Sequence, residues 1–249
     1  LAKLAASSMK LEVFDSSEAV AERAAGILAE VLLDPKRAPM GLATGRTMVA
    51  VYQWLVPLLQ QAGANALGHW RSFNLDEYVG LGPDDPRSFA AYMARYLGEP
   101  LAIPAARMQL PNGLAPNPHL EALRYRQQVQ THGLGLQLLG LGENGHVGFN
   151  EPPCDAFAPC RCVELSDATR QQNAAAFGGE AKAVPERAIT LGLADILAAE
   201  EVLLVVTGAN KSSVLRRVLQ EPPQQLVPAS WLQGHPNCLV LADRSAVCV

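Results

Sequence analysis

Asn144, His146 and Glu151 fall within eight positions of Leu138-Leu-Gly-Leu-Gly-Glu-Asn-Gly-His-Val-Gly-Phe-Asn-Glu151. An imidazole beside a carboxylate in a glycine-held loop is good proton-shuttle chemistry near neutral pH. Glu151 is expected to orient and charge His146, while the plain alternative is a histidine satisfied within the fold. Gly140-x-Gly142-x-x-Gly145 matches the dinucleotide fingerprint letter by letter. That fingerprint needs a helix to open within the glycine run, with phosphate over its N-terminus. Here Asn150 and Pro152-Pro153 follow instead, and the glycines surround a histidine, so the dinucleotide reading is set aside.

Three other stretches offer partners. Asn74-Leu-Asp-Glu-Tyr78 places Asp76 just past an apolar run, where desolvation would raise its pKa and suit it to general-base work. Capping of the next turn by Asp76 or Glu77 is the competing role. Thr44-Gly-Arg-Thr47 follows a short strand and opens a helix, so backbone N–H groups and hydroxyls of Thr44, Gly45 and Thr47 could receive an anion. No Gly-Lys-Ser/Thr follows, which excludes a Walker loop, and helix capping by Thr44 or Thr47 is the alternative. Thr207-Gly-Ala-Asn-Lys211 puts a cation in the first turn of a helix, against the helix dipole. An anionic ligand would remove that conflict, and Arg170 is a second cation that could close on it.

The elements that must carry these residues alternate regularly. Strands are expected at Leu11–Phe14, Met40–Ala43, Trp70–Leu75, Leu136–Leu141, Ala188–Leu191, Val202–Thr207 and Cys238–Asp243. Helices are expected from Asp15-Ser-Ser17 to about Leu33, from Thr44 to about Gln61, near 87–97, from Asn117-Pro118 to about Thr131, and from Lys211 to about Gln220. Pro57 should kink the second helix or end it early. Such alternation gives an α/β fold, a mostly parallel, doubly wound, Rossmann-like sheet with helices on both faces. Residues 152–185 lack a strong core pattern beyond a short strand (Arg161–Leu165) and a helix from Asp167. They are expected to form a lid over the carboxyl edge, with 9–249 as one domain. Leu1–Ser8 is expected to be an expression remnant or flexible extension.

Composition narrows the classes. The chain has 249 residues, 49% hydrophobic and only 18% charged, which suits an enzyme-like globule with a generous core. A net charge of −4 with scattered basic residues argues against a nucleic-acid partner. No apolar run reaches the roughly 18–20 residues of a membrane span. Five cysteines, including Cys160-Arg-Cys162, neither pair off as a disulfide framework nor meet a second ligand pair, so a reduced, cytoplasmic chain without metal is expected.

Phe73-Asn-Leu-Asp-Glu-Tyr-Val-Gly-Leu81 and Leu139-Gly-Leu-Gly-Glu-Asn-Gly-His-Val-Gly-Phe-Asn-Glu-Pro152 resemble the signature segments of glucosamine-6-phosphate deaminases. Gly41–Thr47, Asp167-Ala-Thr-Arg170 and Thr207–Lys211 match further family segments in the same order, so the resemblance runs from about Met9 to Asp243. It implies conversion of glucosamine 6-phosphate and water to fructose 6-phosphate and ammonia, with no cofactor. By the same resemblance, Asp76 moves the proton between C2 and C1, and His146 assists ring opening with Asn144 and Glu151. Thr44, Gly45, Thr47, Arg170 and Lys211 would surround the sugar phosphate.

The sequence departs from the allosteric branch of that family. Asn144 stands where that branch has aspartate, so His146 should be less basic. Arg46 replaces a small residue in the phosphate turn, and both an inward and an outward placement are open. Cys154, Val163 and Glu164 fill positions where the effector site would need polar or basic groups, although Arg161 is retained. The resemblance therefore implies the shorter, unregulated branch, a monomer or small homo-oligomer acting on a small amino-sugar phosphate. Galactosamine-6-phosphate deaminase and 6-phosphogluconolactonase are the alternatives on one scaffold, and a sugar-phosphate-sensing regulator is the alternative from another class.

Overall fold

A computed structural model describes residues 9–248. The expectation for Leu1–Ser8 lies outside the described residues. Among the described residues ten strands form two sheets: β1 (Lys10–Phe14), β2 (Met40–Leu42), β3 (Ser72–Asn74), β4 (Asp76–Tyr78), β5 (Met108–Gln109), β6 (Leu136–Gly140), β7 (Arg161–Glu164), β8 (Arg187–Thr190), β9 (Glu201–Val206) and β10 (Cys238–Asp243). The larger sheet is parallel throughout, in the order β1-β10-β9-β6-β2-β3-β5. Chain direction across it reverses between β2 and β6, and an α/β sheet opens its ligand crevice beyond the strand carboxyl ends at such a point. Those ends lead into Thr44–Thr47, Asp76, the Gly142–Glu151 loop and Thr207–Lys211.

The core strands are apolar on both faces because helices cover both. Leu136, Leu138 and Leu139 of β6 and Leu203 and Leu204 of β9 are buried, and each such leucine contributes about 1.5–3 kcal/mol relative to exposure. Helix α1 (Ser17–Leu33) buries Val20, Ala21, Ala24, Ala25, Leu28, Ala29 and Leu32, one stripe at helical spacing. Its N-cap is Ser16, whose hydroxyl accepts the Ala19 N–H at 3.2 Å. Helix α2 (Arg46–Ala62) packs against α1 and continues through Pro57 to Ala62, so the early end expected at the proline does not occur. The remaining helices are α3 (Phe89–Met93), α4 (Glu99–Leu101), α5 (Pro118–His132), α6 (Asp167–Asn173), α7 (Leu193–Ile196), α8 (Ser212–Gln220) and α9 (Arg244–Val247).

One expectation of the sheet needs correction. Asp76 follows a main-sheet strand, β3, as expected, but Ala188–Leu191 does not resume that sheet. Instead β4, β8 and β7 form a separate antiparallel sheet in that order, with Asp76 opposite Thr190. The chain steps from β3 to β4 through Leu75 alone, too short a link for the strand pattern to reveal the change of sheet. The stretch 152–185 is also better packed than its sequence pattern suggests. Leu165, Phe177 and Val184 are buried with Tyr78, Leu81, Phe149 and Ala188 in a small cluster of their own. The edge of the Phe177 ring meets Tyr78 at 5.5 Å between centroids.

Candidate active site

Asp76 is the most unusual group at the carboxyl edge. It is buried, and no hydrogen bond or ion pair engages its carboxyl among the described residues. Burial first, and the neighbouring Glu77 second, push its pKa up to about 8. Glu77 has a different task. Its carboxylate accepts the N–H groups of Tyr78 (2.8 Å), Phe89 (3.0 Å) and Ala90 (2.8 Å), so it fastens β4 to the start of α3. Desolvation nevertheless raises it to about 7, against the pull of those three donors. Of the two roles open in the sequence, Glu77 takes the cap and Asp76 is left free.

The loop after β6 lies directly above that carboxyl. Gly148 has φ +57°, and a Cβ built there would sit 3.4 Å from Asp76 Oδ2 and 3.0 Å from Thr190 Oγ1. Glycine is required both for the left-handed backbone and for this approach. Gly142 explains the apparent dinucleotide fingerprint: a Cβ there would fall inside the His146 ring. The glycine makes room for an imidazole rather than for a pyrophosphate.

His146 Nδ1 lies 2.6 Å from Asn144 Oδ1, which also accepts the His146 backbone N–H at 3.2 Å. The backbone donor fixes which end of the Asn144 amide faces the ring, so Nδ1 carries the proton and Nε2 presents its lone pair. Burial lowers His146 to about 4. Glu151 and Glu143 pull upward, and Lys211 adds to the fall. The imidazole is therefore neutral at neutral pH.

Glu151 does not orient the ring as expected. It acts on His146 through charge, while its carboxylate accepts the Ser166 N–H and Ser166 O–H, both at 3.1 Å. Ser166 is the N-cap of α6 and accepts the Thr169 N–H at 3.2 Å. Glu151 therefore ties the histidine loop to the helix that carries Arg170. One Arg170 Nη donates to Lys182 O at 3.3 Å, and its buried Nε–H has no partner.

The anion-site residues are only partly brought together. Thr47 and Lys211, with Ser17, Ala21, Arg46, Ala50, Val205, Thr207 and Asn210, line a cavity of about 390 Å³. Thr44, Gly45 and Arg170 are not in that lining, nor are Asp76 and His146. Neither threonine caps α2: its N-cap is Gly45 at φ +112°, with no side-chain acceptor. Lys211 ends a 3-10 turn (Ala209–Lys211) just before α8, and burial lowers its pKa, with Arg46 acting the same way and Glu143 opposing. Arg46 thus stands on the cavity side.

Sequence reasoning missed Glu143 and Asn210. Asn210 Nδ2 donates to Glu143 Oε1 at 2.6 Å, bridging the loops after β6 and β9. Sixty-seven positions separate them, and no local pattern marks the pair.

Comparison with known proteins agrees with the geometry. Residues 14–241 match the family model described as glucosamine-6-phosphate isomerases/6-phosphogluconolactonase. A glucosamine-6-phosphate deaminase of Geobacillus sp. (strain WCH70) is 39% identical over 240 residues, 96% of this chain and 95% of the relative. One of Hahella chejuensis is 36% identical over 239 residues, 96% of this chain and 90% of the relative. Among solved structures, a monomeric glucosamine-6-phosphate deaminase superposes with a TM-score of 0.89 at 35% identity, covering 96% of this chain and 98% of that one. The 6-phosphogluconolactonase of Trypanosoma cruzi superposes at 0.76 with 18% identity and 97% coverage of each chain, a likeness of fold.

Proposed function

The chain belongs to the family of glucosamine-6-phosphate isomerases and 6-phosphogluconolactonases, and from that premise we propose that it is a deaminase rather than a lactonase. It converts glucosamine 6-phosphate and water to fructose 6-phosphate and ammonia. The observation that carries this choice is the buried, unpartnered carboxyl of Asp76 beneath the histidine loop. Aldose–ketose isomerisation must remove a proton from carbon, and a desolvated carboxylate does this better than a solvated one. Hydrolysis of a lactone needs no base at C2.

His146 Nε2, with its lone pair directed by the Nδ1–H to Asn144, takes and returns the proton that moves between O1 and O5 as the pyranose opens. Asp76 then carries the C2 proton to C1, and the resulting C2 imine loses ammonia to water. Its raised pKa would leave Asp76 largely protonated in the free protein at neutral pH. The ammonium group that the substrate carries at C2 favours the ionised carboxylate, so binding of the amino sugar itself arms the base. Thr47 and Lys211, which share a cavity wall, hold the phosphate, and the family resemblance adds Thr44, Gly45 and Arg170 from outside that wall; the remote binding energy fixes the sugar. Residues 9–249 act as one unit in which 152–185 covers the site, and the Glu151–Ser166 clasp supports that arrangement.

A monomer is the working form, supported by the monomeric deaminase it superposes on. Among the described residues no helix is long and apolar enough to cross a membrane, and we place the reaction in the cytoplasm. A substrate panel tests the reading. Ammonia release from glucosamine 6-phosphate should exceed that from galactosamine 6-phosphate, with no comparable hydrolysis of 6-phosphogluconolactone. Lactone hydrolysis without ammonia release would sink it.

A further inference from the structure

The Glu143–Asn210 bridge stands beside the cations assigned to the phosphate, and its chemistry is the reverse of theirs. Glu143 Oε1 accepts the Asn210 amide at 2.6 Å, and Asn210 is the neighbour of Lys211 in one turn. Asn210, then Lys211, Gln172 and Arg46, hold the Glu143 carboxyl below the usual carboxylate range. Those four residues come from α2, α6 and the turn before α8, so one exposed carboxylate faces elements from three directions. Arg46 and Lys211 share a cavity wall and repel each other, and Glu143 is the charge that offsets this repulsion at Lys211. No salt bridge of 4.0 Å or less joins Glu143 to either cation, so its effect on them is through space.

We infer that Glu143 is a positioning residue that holds the Asn210–Lys211 turn in place and opposes the substrate's phosphate by charge when it arrives. The inference rests on the reading of Lys211 as a phosphate ligand. Glu143 lies outside the cavity lining but is hydrogen-bonded to Asn210 within it, so an anion of charge near −2 at Lys211 feels a neighbouring carboxylate, and like charges in a partly solvated site repel modestly. The carboxylate therefore weakens ground-state binding while keeping the cations ordered. Because the phosphate is remote from the reacting carbons, this is uniform binding, which appears in KM. Glu143 also pulls the His146 pKa upward, but that ring lies well below neutral pH already and losing the pull lowers it further, so it stays neutral and kcat changes little.

Glu143→Gln separates the two tasks, since its amide oxygen can still accept from Asn210 while the charge is gone. The expected result is a KM for glucosamine 6-phosphate lowered about two- to fivefold, with kcat within about twofold, and a difference that shrinks at high salt. Titration with inorganic phosphate alone should show the same gain in affinity without any turnover. A merely structural role would raise KM or leave it unchanged, and either result overturns the inference. Phosphate bound equally by both proteins, or by neither, overturns it too. If the variant gains phosphate affinity while neither protein releases ammonia, the inference stands and the deaminase reading falls.

Discussion

At the scale of single residues, the site turns on a carboxyl left without partners. Most buried polar groups are hydrogen-bonded, so an unpartnered Asp76 beneath a glycine of positive φ is costly to the fold and has to be explained by use. The cost has a definite sign. Asp76 in the unfolded chain releases its proton near 3.8, whereas the folded protein holds it to about 8. Between those values the folded state binds more protons, so the Asp76 contribution to stability falls as pH rises across the window. Asp76→Asn should therefore melt higher than the parent by about 3 °C or more at pH 8, with the gap closing toward pH 4. Thermal melts at the two pH values check this, and a variant that melts lower at pH 8 would mean the aspartate is not held protonated. The same ionisation should give kcat/KM an acid limb that rises toward pH 8, and the limb should move to lower pH in kcat, where the cationic substrate is bound.

At the scale of elements, the glycines decide how the loop after β6 can lie. Gly142→Ala should displace the His146 ring, break its bond to Asn144 and cost roughly 10- to 100-fold in kcat. Circular dichroism and phosphate binding should stay close to those of the parent. Activity within twofold would show that the ring position does not matter. Much of this scale was legible beforehand: the first helix follows from its Asp15-Ser-Ser17 cap, and the β6 and β9 strands from their apolar runs and the polar residues that end them. Pairing across sheets was not. Nothing in Asp76-Glu-Tyr78 or Ala188–Thr190 says that the two strands leave the parallel sheet and meet each other, because antiparallel partners 110 to 114 positions apart carry no local sign. The hydrogen-bond clasp of Glu151 on Ser166 carried no local sign either, and Glu151 reaches His146, five residues away, through charge alone.

For the whole molecule, the account predicts an enzyme without an effector switch. Arg161, the one basic residue retained from the expected effector site, is committed inside the chain. It donates to Asn150 Oδ1 at 2.8 Å and Pro159 O at 3.1 Å, and lies 3.5 Å from Cys154 Sγ. Steady-state rates should follow a hyperbola in glucosamine 6-phosphate, unchanged by N-acetylglucosamine 6-phosphate. A sigmoidal curve that the acetylated sugar straightens would contradict this. Fold class could be read from the sequence at this scale because strands and helices alternate along it, and candidate site residues could be named because polar motifs fall at four strand ends. The separate parts played by Glu77 and Asp76 could not, since the sequence does not show which backbone N–H groups reach each carboxyl. The most direct test of the central claim is to follow ammonia and fructose 6-phosphate formed from glucosamine 6-phosphate by the parent and by Asp76→Asn. The account predicts equal amounts of both products from the parent, and a rate at least about 1000-fold lower from a variant that still binds the sugar phosphate. Retention of more than a few per cent of the parent rate would remove Asp76 as the base.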